Sequence, residues 1–261
     1  MNNVNKTLYI PLYGKAYVSK KGIILNDKKA ERIWDAEGFS LKGKSKSKWL
    51  AYYMGMRCAV FDNWVKEKAT QFDGASILHI GCGLDSRVER VGIPNCFWYD
   101  IDFPEVIKER KRYYIESENY RMIEGDARDC KWLENLPKTK SAIVVMEGVS
   151  MYLSLEELKR LFANISKQFE KVSVLTDCYT LFAAKMTKYK NPINDVGVNA
   201  VFGIDDPKLL EDNTGISFVK EHEMTPDSFI QELKGTEKVI FKKVYGGKMS
   251  KKLYRLYEYK K

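Results

Sequence analysis

Gly81-Cys82-Gly83 follows directly on the short apolar run Ile77-Leu78-His79-Ile80. A glycine turn after a strand lets backbone approach a ligand closely, because no Cβ intervenes. The helix that follows such a turn offers free N–H groups. Asp100 and Asp102 end the next apolar run, 19 and 21 residues after Gly81. An acid about 20 residues beyond the turn, at a strand end, can accept both ribose hydroxyls of a nucleoside. Glu147 closes a third run, Ala142–Met146. The chemistry these residues suggest is nucleoside binding; the alternative is a tight strand-to-helix turn that holds no ligand.

The residues just past the turn narrow the kind of nucleoside. A dinucleotide site normally has Gly or Ala three residues after the second glycine, to pack helix on strand and admit a pyrophosphate. Here that position is Ser86, followed by Arg87. S-adenosylmethionine carries no phosphate, so the mismatch counts little against it. His79 lies inside the first run and reads as a hydrogen-bonded core histidine rather than a base.

These residues need a scaffold, and the runs 77–80, 97–102, 142–146 and 172–177 supply one. Helix-like segments separate them, and strands alternating with helices predict a parallel α/β sheet. Pro104–Glu116 reads as a surface helix. Ser154 and Glu157 form a capping box that opens a helix running to about Phe169, with Leu155, Leu158, Leu161, Phe162 and Ile165 on one face. The first 70 residues are expected to form a helical cap: Lys28–Asp35 is helix-like, and in Trp49–Thr70 the residues Leu50, Tyr53, Met54, Arg57, Phe61 and Val65 recur at helical spacing. Phe218–Met224 is expected as a strand, Pro226–Leu233 as a helix, and Leu253–Tyr259 as an antiparallel last strand. Residues 181–217 have mixed polarity and suit a lid-like insertion over a pocket.

Composition sets outer bounds. With 261 residues and 44% apolar content, the chain fits a single domain, residues 1–261. No run approaches a membrane span, and the first residues lack the order of a signal peptide, so a cytoplasmic protein without a membrane partner is expected. The five cysteines are scattered and there are two histidines, so neither a disulfide framework nor a metal site is expected. The net charge is +9, with lysine clusters at 42–48 and 248–252. Without a nucleic-acid-binding motif these read as solvated faces that favour an acidic small-molecule acceptor.

Four ordered segments carry a resemblance. Gly81–Arg87 resembles the G-x-G-[LM]-D-[ST] signature of the leucine carboxyl methyltransferase family, which includes tetracenomycin-type polyketide O-methyltransferases. Trp98–Ile107 is similar to that family's strand and [DE]-x-D-x-P segment. Glu124–Asp129 resembles its G-x-D-x-R-D segment, with one residue fewer between Gly and Asp. Met146–Leu153 is similar to its E-G-V-x-x-Y-[LM] segment. The likeness runs from about residue 8 to 180.

The resemblance implies a Rossmann-like class I methyltransferase with a mostly parallel seven-stranded sheet, an antiparallel last strand and S-adenosyl-L-methionine as cofactor. It places Arg57 on the cofactor's carboxylate, Gly81 and Gly83 along its methionine part, Asp102 on the ribose and Asp126 on the adenine amine. The Ala127 N–H would lie near the ring, Glu147 under the amino group and Tyr152 at the acceptor pocket. Lys15 falls one residue out of register with a family lysine, and Ala127 is leucine in some relatives. The expected function is O-methylation of a small carboxylate or phenol by positioning, with no catalytic side chain required. A nicotinamide-dependent oxidoreductase and a non-catalytic cofactor-binding regulator are the alternatives. A nucleic-acid methyltransferase is disfavoured, because Glu147-Gly148-Val149-Ser150 stands where an Asn-Pro-Pro-aromatic run belongs and no Pro-Cys motif is present.

Overall fold

In the computed structural model the apolar runs assemble into a seven-stranded sheet. The structure describes residues 8–39, 41, 43–137, 139–187 and 201–261. The strands are β1 (Ser76–Ile80), β2 (Phe97–Asp102), β3 (Tyr120–Glu124), β4 (Ser141–Met146), β5 (Lys171–Tyr179), β6 (Ser217–His222) and β7 (Tyr254–Lys260). Their order is β3-β2-β1-β4-β5-β7-β6. β1 to β5 pair in parallel, and β7 runs antiparallel between β5 and β6. The expected antiparallel last strand is therefore found.

All five residues of β1 are buried, as befits a central parallel strand covered on both faces. Alternate side chains serve opposite layers: Ile77 packs with the layer that holds Tyr52 and Phe61, while Leu78 and Ile80 pack with Leu161, Phe162 and Ile165. The helices are α1 (Tyr9–Lys20), α2 (Lys28–Glu37), α3 (Lys48–Ala69), α4 (Arg87–Val91), α5 (Pro104–Arg110), α6 (Leu155–Gln168), α7 (Leu181–Met186), α8 (Asp227–Ile230), α9 (Gly235–Tyr245) and α10 (Gly247–Ser250). The capping box of α6 is complete, with Ser154 and Glu157 each bonding the other's backbone N–H.

Several expectations change. α3 is not one-sided. Ala51 to Asp62 are all buried, because α1 packs on one side of the helix and the sheet on another. The helix after Pro104 ends at Arg110, whose guanidinium turns inward to Asp100. β6 stops at His222, and only one turn, 227–230, is helical in the stretch after Pro226. α9, with three exposed apolar side chains and no clear one-sided pattern, lacks the periodicity that would reveal it. Of the stretch 181–217 expected as a lid, residues 188–200 lie outside the described residues. The residues that follow are tied down: Phe202 donates its N–H to the Met151 carbonyl at 2.8 Å and Ile204 to the Tyr179 carbonyl at 2.7 Å.

Candidate active site

The C-terminal ends of β1, β2, β4 and β5 open onto a cavity of about 930 Å³, at the point where the strand order reverses between β1 and β4. The glycine turn forms part of its wall. Gly81 and Gly83 both have positive φ, +70° and +53°. Their surroundings differ. A Cβ on Gly81 would stand 2.2 Å from Val149 Cγ2, whereas a Cβ on Gly83 would meet nothing nearer than Leu8 Cβ at 3.5 Å. Gly81 thus admits the loop after β4, and Gly83 keeps the wall open.

The two acids of β2 divide their work. Asp102 lines the cavity; it accepts from the Gly83 N–H and the Phe103 N–H, both at 2.8 Å. Burial outweighs these bonds and raises its carboxyl to about 6. Asp100 does not line the cavity. It accepts from Trp98 Nε1 at 2.9 Å and Tyr120 Oη at 2.7 Å, meets His79 Nδ1 at 2.8 Å, and takes a short bond from Arg110. Burial works against its charge, but Arg110 and these bonds prevail and hold it at about 2. Arg110 also donates to the Gly83 carbonyl at 3.0 Å, so Asp100 braces the turn from behind. His79 is the core histidine expected: its other nitrogen meets Arg87 at 3.1 Å, and burial lowers its pKa.

Arg57 reaches the cavity from α3, but it is neither an exposed ion-pair partner nor an unengaged fork. Its side chain is 4% exposed; Nε donates to Glu147 at 3.0 Å and Nη1 to Asp177 at 2.9 Å. Nη2 lies beside Gly148, 3.4 Å from where a Cβ would be. Asp177, two residues before the end of β5, also accepts from the Gly148 N–H at 2.7 Å. Glu147 is held from the other side by a short bond from Arg87. Burial opposes its charge, but Arg57 and Arg87 together bring it to about 2. Lys15 is buried, lines the cavity and pairs with Asp85 at 3.2 Å, which Arg90 also holds at 2.7 Å. Arg87, Asp85 and Asp177 went unrecognised in the sequence. The signal for Arg87 is its place just past the glycine turn; that for Asp177 is its place at the end of the fourth strand run.

Cys58, Asp85 and Glu147 bring their ligand atoms within 4.8 Å of one another. Their negative charge is already matched by Lys15, Arg57, Arg87 and Arg90 at the distances above. Burial keeps the Cys58 thiol protonated. The donor set is that of an ion-paired core rather than a metal centre.

Asp126 and Ala127 follow β3 and line the cavity. Both Asp126 oxygens accept from Arg128, at 2.6 to 3.0 Å. Burial pushes this carboxyl up, but Arg128 brings it below the usual range. Elsewhere the wall is aromatic and aliphatic: Tyr152, half-buried, is joined by Met151, Tyr179, Tyr254, Met186 and Phe202. The Tyr179 and Tyr254 rings meet edge to face, 4.4 Å between centroids. Burial raises both phenols, so they stay protonated.

A sheet of this order, with the glycine turn after β1 and an acid ending β2, has the architecture of the class I S-adenosylmethionine-dependent methyltransferases. The model of the leucine carboxyl methyltransferase family matches residues 8–166. The chain belongs to that family and is an S-adenosylmethionine-dependent methyltransferase. It is 29% identical over 186 residues to the tetracenomycin polyketide synthesis O-methyltransferase TcmP of Streptomyces glaucescens, covering 70% of this chain and 69% of that one. It is 26% identical over 235 residues to the S-adenosyl-L-methionine-dependent methyltransferase dpfgK of Gibberella zeae, covering 81% and 78%. Among solved structures, magnesium protoporphyrin IX methyltransferase of Synechocystis PCC 6803 superposes with a TM-score of 0.51 at 14% identity, covering 95% of this chain and 97% of that one, a likeness of fold. No helix among the described residues is long and apolar enough to cross a membrane.

Proposed function

We propose that the protein is an O-methyltransferase for a small acceptor, a carboxylate or a phenolic hydroxyl, with the carboxylate favoured. The observation that carries the reading is the composition of the cavity. One part holds the glycine turn with Asp102, Asp126, Arg57 and Glu147; another is lined by tyrosines and apolar side chains. Its 930 Å³ lies near the upper end of the ~300–1,000 Å³ range of small-molecule sites, which suits a cofactor and an acceptor side by side.

The residues present fit S-adenosylmethionine. Asp102 faces the cavity with carboxylate lone pairs left after its two backbone bonds, suited to a ribose diol. Asp126 and the Ala127 backbone suit an adenine edge. The remaining Nη2 edge of Arg57 and the Lys15 ammonium suit a carboxylate, and Glu147 an ammonium. Bound there, the cofactor supplies a methyl group activated on a sulfonium. The chain contributes position and dryness. The buried ion pairs hold each charged group in one orientation, and the apolar wall excludes water around the acceptor.

An ionised carboxylate needs no base near neutral pH. The cavity histidine has both ring nitrogens engaged, and Asp85, Asp126 and Glu147 are held by Lys15 and arginines. Tyr179, fixed in the protonated form and accepting from the Tyr254 hydroxyl, is suited to donate a hydrogen bond to an anionic acceptor. The relatives give no support to the nicotinamide-dependent or regulatory alternatives. Met186 and Phe202, both within the 181–217 stretch, border the acceptor part, which supports a covering role for their part of that stretch. The test is incubation with methyl-labelled cofactor and a panel of aromatic and aliphatic acids and phenols. Base-labile methyl esters are expected. Base-stable ethers from phenols with no ester would overturn the carboxylate preference, and cofactor binding without turnover on any acceptor would overturn the enzymatic reading.

A further inference from the structure

The lysine cluster at 248–252, which the sequence presents as a solvated face, belongs to a larger surface. Residues 235–253, spanning α9 and α10, contain six lysines and one acid, Glu237. That acid is turned to the body of the protein, pairing with Lys48 at 2.8 Å and accepting from Tyr52 at 2.5 Å. Lys242 and Lys251 pair with Asp227 and Glu221 of neighbouring segments. Lys243, Lys248 and Lys252 pair with no carboxylate among the described residues. Between these lysines stand exposed aliphatic side chains: Val239 at 66%, and Ile240, Val244, Met249 and Leu253 at 42 to 46%. Phe241, on the opposite side of α9, is wholly buried and anchors the helix to α3 through Tyr52.

Leu253 and Tyr245 line the cavity as well, so this surface runs into the rim of the acceptor part. We propose that the α9–α10 face docks on an anionic lipid bilayer. Two observations choose a bilayer over a protein partner. The cations are all lysine, and the apolar residues are almost all aliphatic. Protein interfaces favour arginine and aromatic residues and are depleted in lysine. Clustered lysines interleaved with aliphatic side chains on a short helix are the pattern that settles at an anionic headgroup boundary. Docked in this way, the rim at Leu253 faces the membrane, from which an acceptor with an apolar body and an acidic head would enter. This departs from the expectation of no membrane partner, which rested on the lack of a spanning segment; that lack concerns crossing a bilayer, not lying on one.

The experiment is sedimentation of the full chain with vesicles, at about 50 mM salt, of phosphatidylcholine alone or with about 30% phosphatidylserine. Binding is expected only with phosphatidylserine, and it should be released by about 0.5 M salt. The triple variant Lys243→Glu, Lys248→Glu, Lys252→Glu should lose at least about a hundredfold in vesicle affinity. Val239→Ser with Ile240→Ser should weaken it by about tenfold or more. Both variants alter exposed side chains, and calorimetric binding of S-adenosylmethionine checks that they are folded. Failure of the wild-type chain to sediment, or sedimentation of the triple variant equal to wild type, overturns the proposal. Retention on a polyglutamate matrix without vesicle binding would also overturn it, in favour of an acidic protein partner. None of these readouts depends on the acceptor, so they fail independently of the methylation reading.

Discussion

Gly81 and Gly83 look equivalent in the sequence, and the structure predicts that substituting them has opposite consequences. In Gly81→Ala the new Cβ is forced to within 2.2 Å of Val149 Cγ2 at a φ of +70°. The left-handed backbone costs ~1–2 kcal/mol with a side chain, and the overlap adds ~1–3 kcal/mol. Alanine also lowers unfolded-state entropy, which returns ~0.4–1 kcal/mol. The net loss is about 2–4 kcal/mol, a fall in Tm of roughly 5–15 °C for a chain of this size. In Gly83→Ala the φ of +53° brings a similar backbone cost, but nothing lies nearer than 3.5 Å, so the net loss is ~1 kcal/mol or less. That methyl projects instead beside the N–H that holds Asp102, on the open wall. Thermal unfolding and calorimetric titration with S-adenosylmethionine should therefore separate the two variants. Gly81→Ala is the less stable. Gly83→Ala is close to the parent in stability but binds cofactor at least about tenfold more weakly, ~1.4 kcal/mol. Equal Tm losses, or a Gly83→Ala variant that binds like the parent, would refute the division of roles.

Three further outcomes are expected. Asp102, with its carboxyl raised to about 6, should bind the ribose diol in its ionised form, so the cofactor Kd should rise by roughly tenfold per pH unit below 6; Asp102→Asn should remove that dependence and weaken binding by ~1–3 kcal/mol. Arg57→Ala should not leave the fold untouched, contrary to what a purely ligand-binding arginine would do: it takes from the buried Asp177 its cationic partner, leaves Glu147 with Arg87 alone, and should cost ~3–5 kcal/mol in urea unfolding, along with cofactor affinity. Asp100 and Glu147, both lowered to about 2, contribute stability that is present above about pH 4 and lost as pH falls from about 4 to about 2; urea midpoints measured over that window should fall steeply, and less steeply in Asp100→Asn.

The central strands were legible because a buried parallel strand is written in a few consecutive apolar residues, and the glycine turn and acid because their spacing is fixed by one strand–helix–strand unit. The capping box of α6 was legible for the same local reason. The burial of α3 was not, because a helix packed on several sides has no polar stripe to reveal it. Neither was the choice between Asp100 and Asp102 from spacing alone, although the family resemblance pointed to Asp102: both fall at the right offset on the same strand face, and what separates them is Arg110, which turns back from α5 to claim Asp100. The partners of Arg57 were invisible for a related reason. Glu147 and Asp177 stand 90 and 120 residues away, and only the parallel pairing of β4 with β5 brings them together.

The same pairing explains why so much charge is buried behind the cavity. Lys15, Arg57, Arg87, Arg90 and Arg110 form one continuous network with Asp27, Asp62, Asp85, Asp100, Glu147 and Asp177, linked in part through His79. Burying ions costs several kcal/mol each, and apolar residues of like volume would often stabilise a fold as well or better. Stability is therefore a poor reason for the network to exist. Its arrangement gives a better one. Lys15, Arg57, Asp85 and Glu147 line the cavity, whereas Asp27, Asp62, Arg87 and Arg90 stand behind them and hold them in place. Five cations against six carboxylates, with His79 held neutral by burial, leave the network one charge negative. S-adenosylmethionine is a net cation whose amino-acid end carries both signs of charge. A fixed, slightly negative wall with both signs presented at its face is suited to bind such a group without reorganising. Replacing the rear Arg87 by Met tests this directly. Glu147 would keep Arg57 as a partner but lose its second anchor, so cofactor binding should weaken even though Arg87 does not line the cavity. Unchanged affinity in a folded Arg87→Met variant would show that the rear layer serves the fold alone.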